Sequence, residues 1–267
     1  MKRINTKYKY ITYTIYTIII LLLIILILPF IIFPFLFKNL IGLINPKKIY
    51  EPLDVVIAHY KEDLTWVDVM IPENARVFIY TKSDDVPNCK RPYIHKYLEN
   101  VGRDGHTYLY HIINNYKNNT FSDNILFLPG SVDIFYKKIP TYLVLNNIGI
   151  MDFNSPIMRK NDTLYYYIHD LLLTHIKNTG YCSTYENNKH ANCDIIVYKF
   201  NTFQEFLDYF NIKSKYLTLH NIFVIKKHLI YNRPREYYVE IINHLNNGDN
   251  VLNGHFLEKI WHGIFNP

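Results

Sequence analysis

Four stretches of this chain combine residue types and spacings that can do chemistry. The first, LDVVIAHYKEDLTW, is an apolar run that stops at Tyr60 and delivers Lys61, Glu62 and Asp63. If the run is a strand of an open α/β sheet, these residues lie beyond its carboxyl end, where such sheets bind ligands. Tyr60, Glu62 and Asp63 would then face a ligand crevice; alternatively Glu62 and Asp63 only cap a helix near Trp66. The second stretch, NVGRDGHTYLYHIINNY, sets Gly102, Arg103, Asp104, Gly105, His106 and Thr107 at the start of an amphipathic helix. Glycine permits a tight turn, helix-start amides favour an anion, and a guanidinium forks onto phosphate. A diphosphate held by Arg103 and the helix-start amides fits that pattern, with His106 and Thr107 as further nucleotide-binding candidates; the pattern is neither the dinucleotide fingerprint nor a Walker loop. The structural alternative pairs Arg103 with a neighbouring carboxylate and packs His106 at the helix start.

The third stretch, NILFLPGSVDIF, is a strand followed by a Pro-Gly turn and Asp133. Asp84 and Asp85 offer a second pair of carboxylates, better read as a solvated acidic loop. In the fourth, NGHFLEKIWHGIF, His255, Glu258 and His262 recur at spacings of three and four, so one helix face can present all three. A carboxylate beside an imidazole can take a proton from an acceptor hydroxyl, and the same set could ligate a metal. The competing reading docks Phe256, Trp261 and Phe265 into the core. The basic run Lys226, Lys227, His228, Arg233 and Arg235 could hold phosphate or form a solvated face.

The elements that must position these residues follow from periodicity. Strands are expected at Asp54–Ala58, Arg76–Tyr80, Asn124–Leu128, Asp194–Tyr198 and Ile222–Ile225. Helices are expected after Asp104, across Phe203–Phe210, after Pro234, and from an Asn253 cap through Phe265. Strands alternating with helices predict an α/β domain with a mostly parallel sheet flanked by helices.

Between Lys9 and Lys38 lie 28 residues without a charge. As a helix they exceed the roughly 30 Å hydrocarbon core. No small-residue cleavage site follows, so the reading is an uncleaved signal anchor. The expected organisation is a cytosolic tail (1–9), a transmembrane anchor (10–37), a juxtamembrane linker (38–52) and one α/β body (53–267). Basic residues before the span place the body on the lumenal or extracytoplasmic side of a single-pass type II protein. The sequons at Asn118 and Asn161 agree with that side. Residues 1–45 carry five basic and no acidic residues, which leaves 24 basic against 23 acidic in the rest. So balanced a body argues against a nucleic-acid partner. Cys89, Cys182 and Cys193 lack paired metal-ligand spacing; Cys182 and Cys193 could bond or stay as thiols. The 25 tyrosines accompany abundant Ile, Asn, Lys and Phe, a codon bias, and carry no function alone.

Taken together, VVIAHYKEDLTW, NVGRDGHTYLYHIINNY, ILFLPGS, STYENN, IFVIKKHLIYNRPREYY and GHFLEKIWHGIF resemble a domain-of-unknown-function family of large DNA viruses, algae, fungi and bacteria, from Leu53 to Phe265. More remotely the body resembles GT-A-type glycosyltransferases, whose first strand leads into a Tyr-Asn-Glu-like turn; Lys61 stands here where Asn is usual. That second resemblance implies transfer of a sugar from a nucleotide-sugar donor to a hydroxyl of a glycan or protein acceptor. Tyr60, Glu62, Asp63, Arg103, His106 and Thr107 would bind the donor, and Asp133, Glu258 and His255 would carry the chemistry. Many such enzymes grip a divalent metal with Asp-x-Asp after the strand that follows the glycine-containing helix. Here Pro129, Gly130 and Ser131 occupy that place, so the cofactor is unknown and Arg or Lys could neutralise the phosphates instead. A tethered non-catalytic binding domain, or a hydrolase using Asp133 or His106, are the alternatives.

Overall fold

A computed structural model of the chain describes residues 52–146, 196–213, 218 and 220–267. All of these belong to one compact unit that begins at Pro46. The anchor at 10–37, the sequon at Asn161, and Cys182 and Cys193 lie outside the described residues. Among those described, no helix is long and apolar enough to cross a membrane.

Five strands form one sheet: β1 (Leu53–His59), β2 (Arg76–Thr81), β3 (Ile94–Tyr97), β4 (Asn124–Pro129) and β5 (Phe223–Lys226). Their order is β3-β2-β1-β4-β5, parallel except for the antiparallel β4–β5 pair. Every residue of β1 and of β4 is buried, as strands covered on both faces require. Alternation along them divides the core. Val56, Ala58, Ile125 and Phe127 face one layer with Phe203, Tyr238, Phe256 and Trp261. Val55, Ile57, Leu126 and Leu128 face the other with Leu64, Trp66, Val67 and Met70.

Among the described residues the helices are α1 (Trp66–Met70), α2 (Arg103–Tyr116), α3 (Phe135–Asn146), α4 (Phe203–Tyr209), α5 (Lys227–Ile230), α6 (Arg235–Asn243), α7 (Leu252–Lys259) and α8 (Trp261–Phe265), with a 3-10 turn at Gly130–Asp133. Thr202 caps α4 in a capping box with Glu205, whose carboxylate returns to the Thr202 amide. Helix α2 packs on β1, α6 and α7.

Several expectations need correction. β3 was not expected: IHKY is short, polar and at the sheet edge, with Ile94 and Tyr97 about half exposed, so no buried face imprints a period on it. Of the strand expected at Asp194–Tyr198, the described part pairs only as an isolated bridge, Ile196 to Val251, and Ile196, Val197 and Tyr198 are exposed. The final helix is two helices, broken at Ile260, whose φ of −122° is not helical. Val251 takes the N-cap position of α7. Asn253 lies inside the first turn and donates to the carbonyls of Tyr198 and His244.

Candidate functional site

The chain passes from β1 outward to β2 and β3, then returns through α2 to β4 on the other side of β1. The carboxyl ends of β1 and β4 therefore flank the switch point of the sheet, where adjacent connections diverge and leave a crevice. Three segments meet there: the turn after β1, the start of α2 and the turn after β4.

Beyond β1, the Glu62 carboxylate folds back on its own turn, Oε2 accepting from the amides of Tyr60 at 2.7 Å and Lys61 at 3.1 Å. The same oxygen rests on Gly130, where a Cβ would stand 2.7 Å from it. A glycine after β4 is thus what lets the two strand ends approach. The Tyr60 ring is exposed, with the Lys61 ammonium 5.3 Å from its centroid. Asp63 behaves as the capping alternative described: its carboxylate accepts from Thr65 N at 2.8 Å and Asn88 Nδ2 at 2.9 Å. Those bonds lower its pKa.

At the start of α2, Gly102 and Arg103 both have left-handed backbones, with φ of 61° and 53°. Gly102 has no room for a side chain, since a Cβ would lie 2.6 Å from that of Leu245. Its amide bonds the Gly248 carbonyl at 2.8 Å. The amides of Arg103, Asp104 and Gly105 precede the first intrahelical bond, from His106 N to Gly102 O. A non-glycine residue in this conformation is a costly arrangement that clusters at functional sites. Arg103 Nη1 reaches Asn250 Oδ1 at 3.3 Å, and His255 Nε2 lies 2.9 Å from the same oxygen. Lys82, buried beneath the turn, donates to the carbonyls of Val101 and Arg103. Burial and the nearby Arg103, opposed by Asp104, lower its pKa to about 8.

His106 Nδ1 and Thr107 Oγ1 are buried polar atoms without a hydrogen-bond partner among the described residues. Both are buried, and the His106 pKa is lowered to about 3 by burial and Lys82, so the ring stays neutral. Thr107 is fully enclosed.

Asp104 is the residue on which the cluster converges. Its carboxylate accepts from Asn221 Nδ2 at 3.2 Å, while Asn221 Oδ1 accepts from Trp261 Nε1 at 2.9 Å and the Asn221 carbonyl from Tyr108 OH at 3.1 Å. His220 and Asn221 hold this position with φ of 59° and 57°. Burial raises the Asp104 pKa; Arg103 and Lys137 oppose the shift, and Glu258 and Glu62 add to it. Glu62, Arg103, Lys137 and Glu258 thus all act on one carboxyl group. Glu258 is paired with Lys259 at 3.0 Å. Burial pushes its pKa up, but Lys259, Arg103 and His255 outweigh that and leave it lowered. His255 is lowered to about 4 by burial and Arg103. Glu258 is therefore an ionised partner and His255 a neutral donor to Asn250.

After β4, Lys137 Nζ lies 2.5 Å from Ser131 Oγ. Asp133 is largely exposed and paired with Lys138 at 2.5 Å. The expected single face of His255, Glu258 and His262 is divided by the break at Ile260, which moves His262 to α8. The basic run is also elsewhere: antiparallel pairing sets Lys226 opposite Asn124, the first residue of β4, so Lys226, Lys227 and His228 occupy the far end of the sheet. Lys227 pairs there with Asp123 at 3.0 Å. Asp84 and Asp85 are exposed, as expected for a solvated loop.

The sequence reading missed Asp104 as a site residue, along with Lys82, Lys137 and Asn221. Asp104 stood beside the glycines and the arginine and could have been singled out; the other three belong to no motif. Among the described residues no group of three or more His, Cys, Asp or Glu side chains is arranged to hold a metal ion. Comparison with family models, with curated proteins and with solved structures gives no match.

Proposed function

We propose that this chain is a membrane-anchored glycosyltransferase of GT-A type, belonging with the domain-of-unknown-function family it resembles and using a nucleotide-sugar donor. The observation that supports the reading is the meeting of the turns after β1 and β4, with Glu62 Oε2 against Gly130, together with the left-handed Gly102–Arg103 turn that opens α2 at the same end of the sheet. The strand order, with a single antiparallel strand on β4, is compatible with it. Tyr60 and Glu62 would meet the nucleoside, and Arg103 with the α2 amides would hold the diphosphate. Lys137, beside Ser131 where Asp-x-Asp would stand, supplies positive charge near the same group. Transfer breaks the bond from the sugar anomeric carbon to the diphosphate oxygen and forms one to the acceptor oxygen. The hydroxyl proton would pass to a carboxylate, for which Asp104 or Glu258 is our assignment.

The test is thermal stabilisation of the full chain by uridine and guanosine diphosphates. The wild type should be stabilised, and Arg103→Ala should lose the response while its ligand-free stability moves by about half a kcal/mol. No response in the wild type would sink the reading. A nucleotide response without release of nucleoside diphosphate from nucleotide sugars would favour the tethered binding domain, which the missing Asp-x-Asp already recommends.

A further inference from the structure

The carboxyl ends of β1 and β2 are joined to His95 of β3 by a chain of three side chains. His59 Nε2 lies 3.2 Å from the Glu62 carbonyl oxygen, His59 Nδ1 lies 3.0 Å from Thr81 Oγ1, and Thr81 Oγ1 lies 2.9 Å from His95 Nε2. His59 and Thr81 are buried, and His95 is half-buried at the outer end. A carbonyl oxygen only accepts, so His59 carries its proton on Nε2 and donates to Glu62. In the tautomer that carries its proton on Nε2 alone, Nδ1 is an acceptor, and the single Thr81 hydroxyl proton points at it. Thr81 Oγ1 then has only lone pairs for His95, which must donate from Nε2. One carbonyl at one end thereby sets every proton in the chain. Burial and the neighbouring His59 hold the His95 pKa below the ordinary histidine value, in keeping with a neutral ring at pH 7.

We propose that His59, Thr81 and His95 are positioning residues that brace the Tyr60–Glu62 turn for ligand binding. The inference rests on the nucleotide reading given above, because that reading makes the turn part of the site. The brace fastens the Glu62 main chain on one side, while the Glu62 carboxylate gathers the Tyr60 and Lys61 amides and rests on Gly130 on the other. Without the hydroxyl, His59 loses the partner that orients its ring, and the side-chain link from the turn to His95 is cut, although Ser83 Oγ still bonds the Tyr60 carbonyl and Lys82 N the His59 carbonyl.

Thr81→Val removes the hydroxyl at nearly constant shape, and Thr81→Ser restores it. In the full chain, the affinity for uridine or guanosine diphosphate should fall about fivefold to tenfold in Thr81→Val, the equivalent of one lost hydrogen bond. It should return to the wild-type value in Thr81→Ser. Nitrogen-15 spectra of the His59 ring should show a protonated Nε2 and an accepting Nδ1 in the wild type and in Thr81→Ser, with the Nδ1 resonance displaced in Thr81→Val. Unchanged affinity in Thr81→Val, or a His59 ring protonated on Nδ1 alone, would overturn the brace. A wild type that binds neither nucleotide would remove the nucleotide reading, and the ring spectra would then decide the brace by themselves.

Discussion

Glu62 and Gly130 meet where the two central strands end, with Glu62 Oε2 occupying the space a side chain on residue 130 would need, 2.7 Å from an ideal Cβ. The contact joins two turns that are far apart in sequence and makes the floor of the candidate site depend on a missing methyl group. Gly130→Ala must displace the Glu62 carboxylate, and its Cβ would also stand 3.0 Å from the Ala58 carbonyl oxygen. A cost of about 1–3 kcal/mol is expected from overpacking of this kind. Because the carboxylate is the closer obstacle, Glu62→Ala should recover part of that loss, with a coupling of at least about 0.5 kcal/mol in a double-mutant cycle. Urea denaturation of the four proteins measures it, and strict additivity would show that the two residues do not press on each other.

Arg103 has a different relation to its backbone. Its φ of 53° is a conformation that glycine adopts freely and alanine does not. Arg103→Gly should therefore be more stable than Arg103→Ala by about 1 kcal/mol, although both lack the guanidinium and both should lose nucleotide-dependent stabilisation. Chemical denaturation of the two variants in parallel checks the order. The reverse order would mean that the turn relaxes to a right-handed backbone once the arginine is gone.

Acid should unfold the protein through its buried imidazoles. His106 and His111 are held at about 3 and His255 at about 4 by burial, against 6.5 for the free side chain. Between about pH 6.5 and pH 4 the unfolded chain binds protons at these positions that the folded chain does not, so stability present above that range is lost as the pH falls through it. Each such proton contributes a slope of about 1.4 kcal/mol per pH unit. His255→Gln should make the slope shallower by about one proton, read from urea midpoints between pH 6.5 and 4.5. An unchanged slope would mean that His255 is accessible to protons in the folded state.

Much of the frame was legible in the residues. β1, β2 and β4 announce themselves as apolar, β-branched runs because the centre of a parallel sheet is buried on both faces. The start of α2 was legible as well, since the Gly-Arg-Asp-Gly turn stands immediately before an amphipathic helix. β3 was not, because an exposed edge strand owes its form to backbone bonds with β2 and leaves no period in its side chains. The break at Ile260 was hidden for a related reason: residues of α7 and α8 are apolar enough to continue one helical stripe, and only packing around Trp261 decides where the backbone departs from it.

The sequence by itself determined the layered α/β class, the position of the sheet within it, and the two turns carrying Glu62 and Arg103. Each of these depends on neighbours within a few residues, or on a burial pattern written into a single segment. What only the tertiary structure decided is which charges share a site. Asp104 is bonded to Asn221 across 117 residues and Arg103 to Asn250 across 147, and burial against these distant elements is what raises the Asp104 pKa, with Glu258 and Glu62 adding to it. Sequence spacing does not encode such pairings, because they follow from strand order. The return of the chain from β3 to β4 across β1 brings the three turns to one end of the sheet, and the antiparallel course of β5 carries the basic run Lys226–His228 to the other.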